Sequence, residues 1–162
     1  MLFRSPILCQ PQTLAQLQQN TIVFYTGISR SASAVLKNQQ EAVASSTAKQ
    51  DTLKRMVQLA RDLRGELQKD NLSAFGEILH EGWELKRSIT AEISTGEIDA
   101  WYAAARSAGA TGGKLLGAGS GGFLMFYAPQ EKHAAIAAAL SGLRQIPMHF
   151  EREGSQIIFV HG

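Results

Sequence analysis

Gly112-Gly-Lys-Leu-Leu-Gly-Ala-Gly-Ser-Gly-Gly-Phe-Leu-Met-Phe-Tyr-Ala128 decides the reading of this chain, because two apolar arms, Lys114 to Leu116 and Phe123 to Tyr127, flank a glycine loop from Gly117 to Gly122. The pattern reads as strand, loop, strand. Glycine serves where the backbone takes φ > 0 or where another group comes close to its N–H, and successive N–H groups in such a turn can also form a concavity for an anion. Gly117-x-Gly119-x-x-Gly122 matches the dinucleotide fingerprint in letters only. That fingerprint needs a helix after the loop and an acidic residue about 20 positions on. Here a strand-like run follows instead, and Glu151 is too far away. A protein-kinase glycine loop also fails, because the downstream aspartates it requires have no place in the short remainder after Ala128.

Upstream of the loop, Ile22 to Thr26 is a continuous apolar and β-branched run closed by Gly27, which predicts a buried strand. Ile28-Ser-Arg-Ser-Ala-Ser33 leads into helical sequence. Ser29, Ser31 and Ser33 are capping candidates there, and Arg30 beside a helix N-terminus either serves an anion or is simply solvated. Asp51 reads as the N-cap of a long helix with Leu53, Met56, Val57, Ala60, Leu63 and Leu67 on one face. A second helix follows Asn71, with Leu72, Phe75, Leu79, Gly82 and Lys86 roughly along one side. Gly76 and Gly82 cost that helix stability, which close approach of a neighbouring element or a ligand would explain. His80 and Glu84 carry no metal signal, since a lone pair at helical spacing is usually solvated. Trp83 with Lys86 is either a half-buried aromatic covered by a lysine stem or marks a lysine on the substrate side. Ser94-Thr-Gly-Glu97 has the form of a capping box, opening a helix from Ile98 to Ala108 that turns Trp101, Ala105 and Ala108 to the core and ends at Gly109.

Downstream, Pro129 opens a helix expected over Gln130 to Leu143, and Ile146, Met148, Phe150 and Arg152 then alternate with polar neighbours as a strand. Glu153-Gly-Ser-Gln156 is a turn, and Ile157 to Val160 completes a hairpin. At the other end, Pro6 to Cys9 reads as a short strand and Thr13 to Gln19 as a turn or two of helix. Strands near Ile22, Lys114, Phe123, Ile146 and Gln156 with helices grouped between them give an α+β domain. The arrangement predicts a ferredoxin-like sandwich, an antiparallel sheet with helices packed on one side.

A chain of 162 residues fits one domain with a real core, and its 44% hydrophobic and 19% charged residues are ordinary for a globular protein. A net charge of +2 from 16 basic and 14 acidic residues forms no basic stripe, so nucleic acid is not indicated as a partner. The single cysteine, Cys9, and the lack of a leader or long apolar run predict a reducing cytoplasm and no membrane contact.

In order along the chain stand Tyr25-Thr-Gly-Ile-Ser-Arg30, His80-Glu-Gly-Trp-Glu-Leu-Lys86, Ile93-Ser-Thr, Ile98-Asp99, Gly113-Lys-Leu-Leu-Gly-Ala-Gly119 and the ending Glu151 to Phe159. This series resembles the carboxyl-terminal half of the GHMP kinases, the superfamily of galactokinase, homoserine kinase, mevalonate kinase and phosphomevalonate kinase. Within it, the heptose-phosphate kinase group is nearest and the fucose kinases are next. The glycine loop is similar to that superfamily's third motif, with Ser120 where glycine is more frequent.

The resemblance implies the same ferredoxin-like fold, with residues 1–20 entering from an amino-terminal half and 21–162 forming the carboxyl-terminal domain. It implies ATP and Mg2+ as cofactors of the complete kinase, a sugar phosphate as substrate, and an amino-terminal kinase domain as partner, in the same gene or as a separate chain. A homo-oligomer stays open. The family's main phosphate cradle, Pro-x-x-x-Gly-Leu-Gly-Ser-Ser, and its catalytic carboxylate belong to the amino-terminal domain, and no such cradle followed by a helix occurs here. No catalytic residue and no metal ligand is therefore expected in this chain. Gly117, Ala118, Gly119, Ser120, Gly121 and Gly122 would support the nucleotide-phosphate loop of the other half, and Arg30, Lys86 and Lys114 would contact the substrate. On this view Gly119→Val or Gly121→Val removes activity at nearly unchanged stability. A stand-alone binding module of ferredoxin-like fold and a truncated fragment without a role stay open as alternatives.

Overall fold

The computed structural model describes residues 7–29 and 32–151. Strands β1 (Thr21–Tyr25), β2 (Gly112–Leu116), β3 (Phe123–Tyr127) and β4 (Arg144–Ile146) form one antiparallel sheet in the order β2-β3-β1-β4. Helical segments join β1 to β2 and β3 to β4, which is the ferredoxin-like split βαβ topology. In register, Ile22 faces Phe126 and Phe24 faces Leu124, while Leu115 meets Leu124 from the other side. Alternate residues of a strand share a face, so these side chains all point into the core. The opposite face carries Tyr25, Phe123 and Leu116 in one cross-strand row and Val23, Met125 and Lys114 in the next.

Helix α1 (Pro11–Gln19) precedes the sheet and starts on a proline, whose missing N–H costs nothing in a first turn. Helices α2 (Ala32–Ala44), α3 (Thr47–Gln68), α4 (Phe75–Ile89) and α5 (Gly96–Ser107) lie between β1 and β2 in the chain, and α6 (His133–Ala139) lies between β3 and β4. The main core joins Trp83, Ile93, Ile98, Tyr102 and Ala105 to Phe24, Leu115, Leu124, Phe126 and Ile136. A smaller cluster of Leu17, Leu72, Phe75 and Tyr127 ties α1 and the start of α4 to the opposite face of the sheet. Among the described residues no helix is long and apolar enough to cross a membrane.

Several local expectations shift. Helix α3 is capped by Ser46, whose hydroxyl accepts from the Lys49 N–H at 3.4 Å, while Asp51 sits inside the helix, bonded to Lys54 at 2.8 Å. Both residue types cap well, and the good helix formers before Asp51 let the helix begin earlier. The α5 cap is Thr95, which accepts from the Ile98 N–H at 3.3 Å, and the Ser94 hydroxyl instead donates to Asp99 at 2.7 Å. Trp101 and Ala108 pack partly buried against the main core and Ala105 lies within it, as the pattern suggested, and Tyr102 is the α5 aromatic buried most completely. After Pro129 a turn of 3-10 helix, Gln130–Lys132, precedes a shorter α6 than the pattern suggested. β4 lies just before the alternating stretch, and Pro147 to Glu151 continues without strand pairing. Proline has no N–H to give to a ladder. Ile7 to Gln10 is irregular rather than a strand. The expected hairpin past Glu151, with its strand near Gln156, lies outside the described residues.

Gly76 and Gly112 bring α4 directly against β2. A Cβ on Gly112 would overlap the Gly76 carbonyl, and one on Gly76 would overlap the Thr111 hydroxyl. This contact presses Trp83 into the core, where it is 1% exposed.

Tyr102 makes the core sensitive to alkali. Its hydroxyl lies 2.8 Å from His80 Nδ1, and burial, against a smaller opposing pull from Arg106, pushes the phenol up to about 12. A folded state that favours the neutral phenol is fully stabilised below the ordinary value of about 10 and loses that contribution as pH rises to about 12. Urea midpoints measured across this window are expected to fall in the native chain and to fall less in Tyr102→Phe. Equal slopes in the two proteins would show that Tyr102 ionises freely.

Candidate functional site

The loop between β2 and β3 is held from the inside by backbone groups of two distant segments. The Ser120 N–H donates to Ile93 O at 2.9 Å, and its hydroxyl donates to Glu92 O. The Gly122 N–H is shared between Ile28 O at 3.0 Å and Thr26 Oγ1 at 3.1 Å, and Gly122 O accepts from the Thr26 N–H at 2.9 Å. Two side chains take the loop's first carbonyls: Gln39 of α2 donates to Ala118 O at 2.8 Å and Lys86 of α4 to Gly117 O at 2.5 Å. Among the described residues the N–H groups of Gly119 and Gly121 make no hydrogen bond. Together with Tyr25, Ile28, Ser29 and Phe123, the loop lines a hollow of about 290 Å³.

The loop glycines are tied to the domain itself. Gly119 and Gly121 have φ of +133° and +155°, and a Cβ on them would come within 2.9 Å of Ile93 Cα and 2.5 Å of Ile28 O. Gly117, by contrast, has nothing within 4 Å of its Cβ position. A side chain at either position would therefore press on the domain's own backbone, so the expectation that valine there leaves stability nearly unchanged does not fit this geometry. Ser120 takes φ +62°, the left-handed region where glycine is the usual occupant, and its hydroxyl bond to Glu92 O offsets part of that cost.

Lys86 and Lys114 meet at a second cleft, between α3 and α4, of about 170 Å³. Burial, and then the charge of Lys114, lower the pKa of the Lys86 ammonium below its ordinary value. Trp83 beside them is a core residue rather than a half-buried ring under a lysine stem, because α4 sits so close to β2. His80 and Glu84, read as a solvated pair, go separate ways. His80 bonds Tyr102, while Glu84 pairs with Arg87 at 3.2 Å and Arg87 bridges to Asp99 at 2.8 Å, fastening α4 to α5. Arg30 lies outside the described residues. Sequence reasoning missed Gln39 and Thr26 as supports of the loop. A strand-ending threonine gave a faint signal, and Gln39 gave none.

Comparison with known proteins places this geometry. The family model of the GHMP kinases C terminal matches residues 63–143. The chain belongs to this GHMP kinase C-terminal family. The matched segment contains α4, α5, both lysines and the whole glycine loop. A D-glycero-alpha-D-manno-heptose 7-phosphate kinase from Campylobacter jejuni is 29% identical, over 83% of this chain and 40% of the relative. A bifunctional fucokinase/GDP-fucose pyrophosphorylase from Arabidopsis thaliana is 30% identical, over 80% of this chain and 12% of the relative. The crystal structure of L. major mevalonate kinase in complex with R-mevalonate superposes with a TM-score of 0.65 at 26% identity, covering 75% of this chain and 37% of that one. This GHMP kinase C-terminal domain thus spans less than half the length of each of them.

Proposed function

We propose that this GHMP kinase C-terminal domain is the carboxyl-terminal half of an ATP-dependent sugar kinase of the heptose-phosphate type, forming one wall of the nucleotide and substrate cleft. The supporting observation is that the glycine loop and the Lys86 and Lys114 pair adjoin each other, joined by the Lys86 bond to Gly117 O. Gly119 and Gly121 have N–H groups unpaired among the described residues and no side chain, so another loop or an anion can approach closely. Lys86 and Lys114 would hold the substrate's phosphate as point charges, and Arg30 through its planar guanidinium fork. In the complete enzyme ATP supplies the phosphoryl group, and catalysis is mainly positioning and charge stabilisation. Among the described residues those lining the loop's hollow include no carboxylate; on this reading the Mg2+ that accompanies the nucleotide and the catalytic carboxylate belong to the amino-terminal domain. Residues 1–20 would carry the chain in from that domain, docked through Leu17.

The purified chain, supplied with ATP, Mg2+ and heptose phosphates, is expected to release no ADP above background. Joined to the amino-terminal half of a heptose-phosphate kinase, it is expected to support turnover. In that enzyme Lys114→Ala should raise the sugar-phosphate KM about tenfold while changing kcat less, as for loss of a ground-state charge contact. Sugar-dependent ADP release by the chain alone would overturn the half-kinase reading, and unchanged KM in both Lys86→Ala and Lys114→Ala would remove the lysines from the site.

A further inference from the structure

The cleft between α3 and α4 combines an apolar interior with an unbalanced positive rim. Met56, Leu59 and Leu63 of α3 face Ile78, Leu79 and Trp83 of α4, and among the described residues the charged ones in the lining are Lys86 and Lys114, with no acid. Among the described residues the Lys114 ammonium makes no hydrogen bond or ion pair, and the Lys86 ammonium donates only to a carbonyl. Two ammonium groups sharing a partly buried site repel one another, and an anion there removes that repulsion.

Gly82 adds a second observation. It sits mid-helix, where glycine is costly, yet a Cβ there would touch only Leu59 Cδ1 at 3.9 Å. No packing contact demands the glycine. Its effect is to keep the cleft open at a position where any other residue would project a side chain into it. The volume of about 170 Å³ slightly exceeds the roughly 150 Å³ that admits a benzene ring in an apolar protein cavity, which sets the ligand's body at about six carbon atoms.

We propose that this cleft binds a small organic monoanion with an apolar body, its carbon chain between α3 and α4 and its head group on Lys86 and Lys114. The site is distinct from the loop's hollow but shares Lys86 and Lys114 with the substrate-phosphate contact proposed above; an anion without an apolar body meets these two ammonium groups at the rim without entering the cleft between the helices. Because Lys86 also holds Gly117 O, an anion that draws its ammonium away loosens the first carbonyl of the glycine loop, so occupancy of the cleft is transmitted to the loop.

The test uses the chain itself, labelled with nitrogen-15, and hexanoate as the probe. The Trp83 indole N–H is buried and without a hydrogen-bond partner among the described residues, so its resonance is a sensitive reporter of the cleft. Hexanoate is expected to shift the Trp83 indole and Gly117 amide signals saturably, with a Kd at least about tenfold lower than that of 1-hexanol, a difference of about 1.4 kcal/mol. Inorganic phosphate alone is expected to leave the indole unmoved. Gly82→Leu, which fills the cleft, and Lys114→Met, which removes a charge at the rim and leaves the core alone, should each weaken hexanoate at least about tenfold. Equal affinity for hexanoate and hexanol, an equal response to phosphate, unweakened binding in Lys114→Met, or no indole shift at all would each overturn the proposal.

Discussion

Gly121→Val is expected to lower the stability of the isolated domain by about 3 kcal/mol or more, since the new side chain meets backbone rather than a movable side chain. Its Cβ would stand 2.5 Å from Ile28 O and 2.9 Å from Ile28 Cγ2, next to the bond that Ile28 O receives from the Gly122 N–H. Relief requires the loop to move off the segment after β1, which breaks that bond and the Thr26 contacts beside it. Thermal melts followed by circular dichroism should show a fall of about 10 °C for a domain of this size. Gly117→Ala is the control, because nothing lies within 4 Å of its Cβ and only the left-handed strain of φ +92° remains, about 1 to 2 kcal/mol. Melting of Gly121→Val together with the native chain would show that the loop does not rest on Ile28. The expectation read from sequence alone, activity lost well beyond any loss of stability, therefore moves to Gly117, where a Cβ meets nothing within 4 Å.

The strands were legible because burial writes itself into composition. Ile22 to Thr26 is apolar or β-branched throughout and Phe123 to Tyr127 is apolar and aromatic, and the sheet buries part of both faces there. The ferredoxin-like class followed from the succession of elements, since few topologies join them without crossing, whereas the order β2-β3-β1-β4 is given by the structure. Helix starts were less legible. Ser46 and Asp51, or Ser94 and Thr95, are equivalent as letters, and the choice falls to contacts such as Asp51 with Lys54 and Ser94 with Asp99. The glycine loop was visible at once, but what holds it was not. Its inner partners are the carbonyls of Ile28, Glu92 and Ile93, and a backbone carbonyl has no residue identity to read. Lys86 and Lys114 were each singled out, and their meeting depends on α4 crossing β2, which only the glycines at Gly76 and Gly112 hinted at.

Gly76 and Gly82 set up the sharpest contrast along one helix. Gly76→Ala is expected to destabilise the domain by more than about 3 kcal/mol, because its Cβ would overlap the Thr111 hydroxyl and lie 3.0 Å from the Thr111 carbonyl carbon, an overpacking that rotamer changes cannot relieve. Helix α4 would have to lift from β2, and it supplies Phe75 to one hydrophobic cluster and Trp83 and Ile89 to the other. Gly82→Ala, in the same helix, is expected to stabilise it by about 0.5 to 1 kcal/mol, the usual gain when a helical glycine with room for a methyl is replaced. Urea unfolding of the two variants should thus shift the midpoint in opposite directions. Two shifts of the same sign would mean that α4 does not touch β2 as described, or that the α3 and α4 cleft is already closed. Gly82→Ala should also narrow that cleft, so a more stable protein that binds hexanoate less well is the combined signature expected of a glycine retained for the space it leaves rather than for the fold.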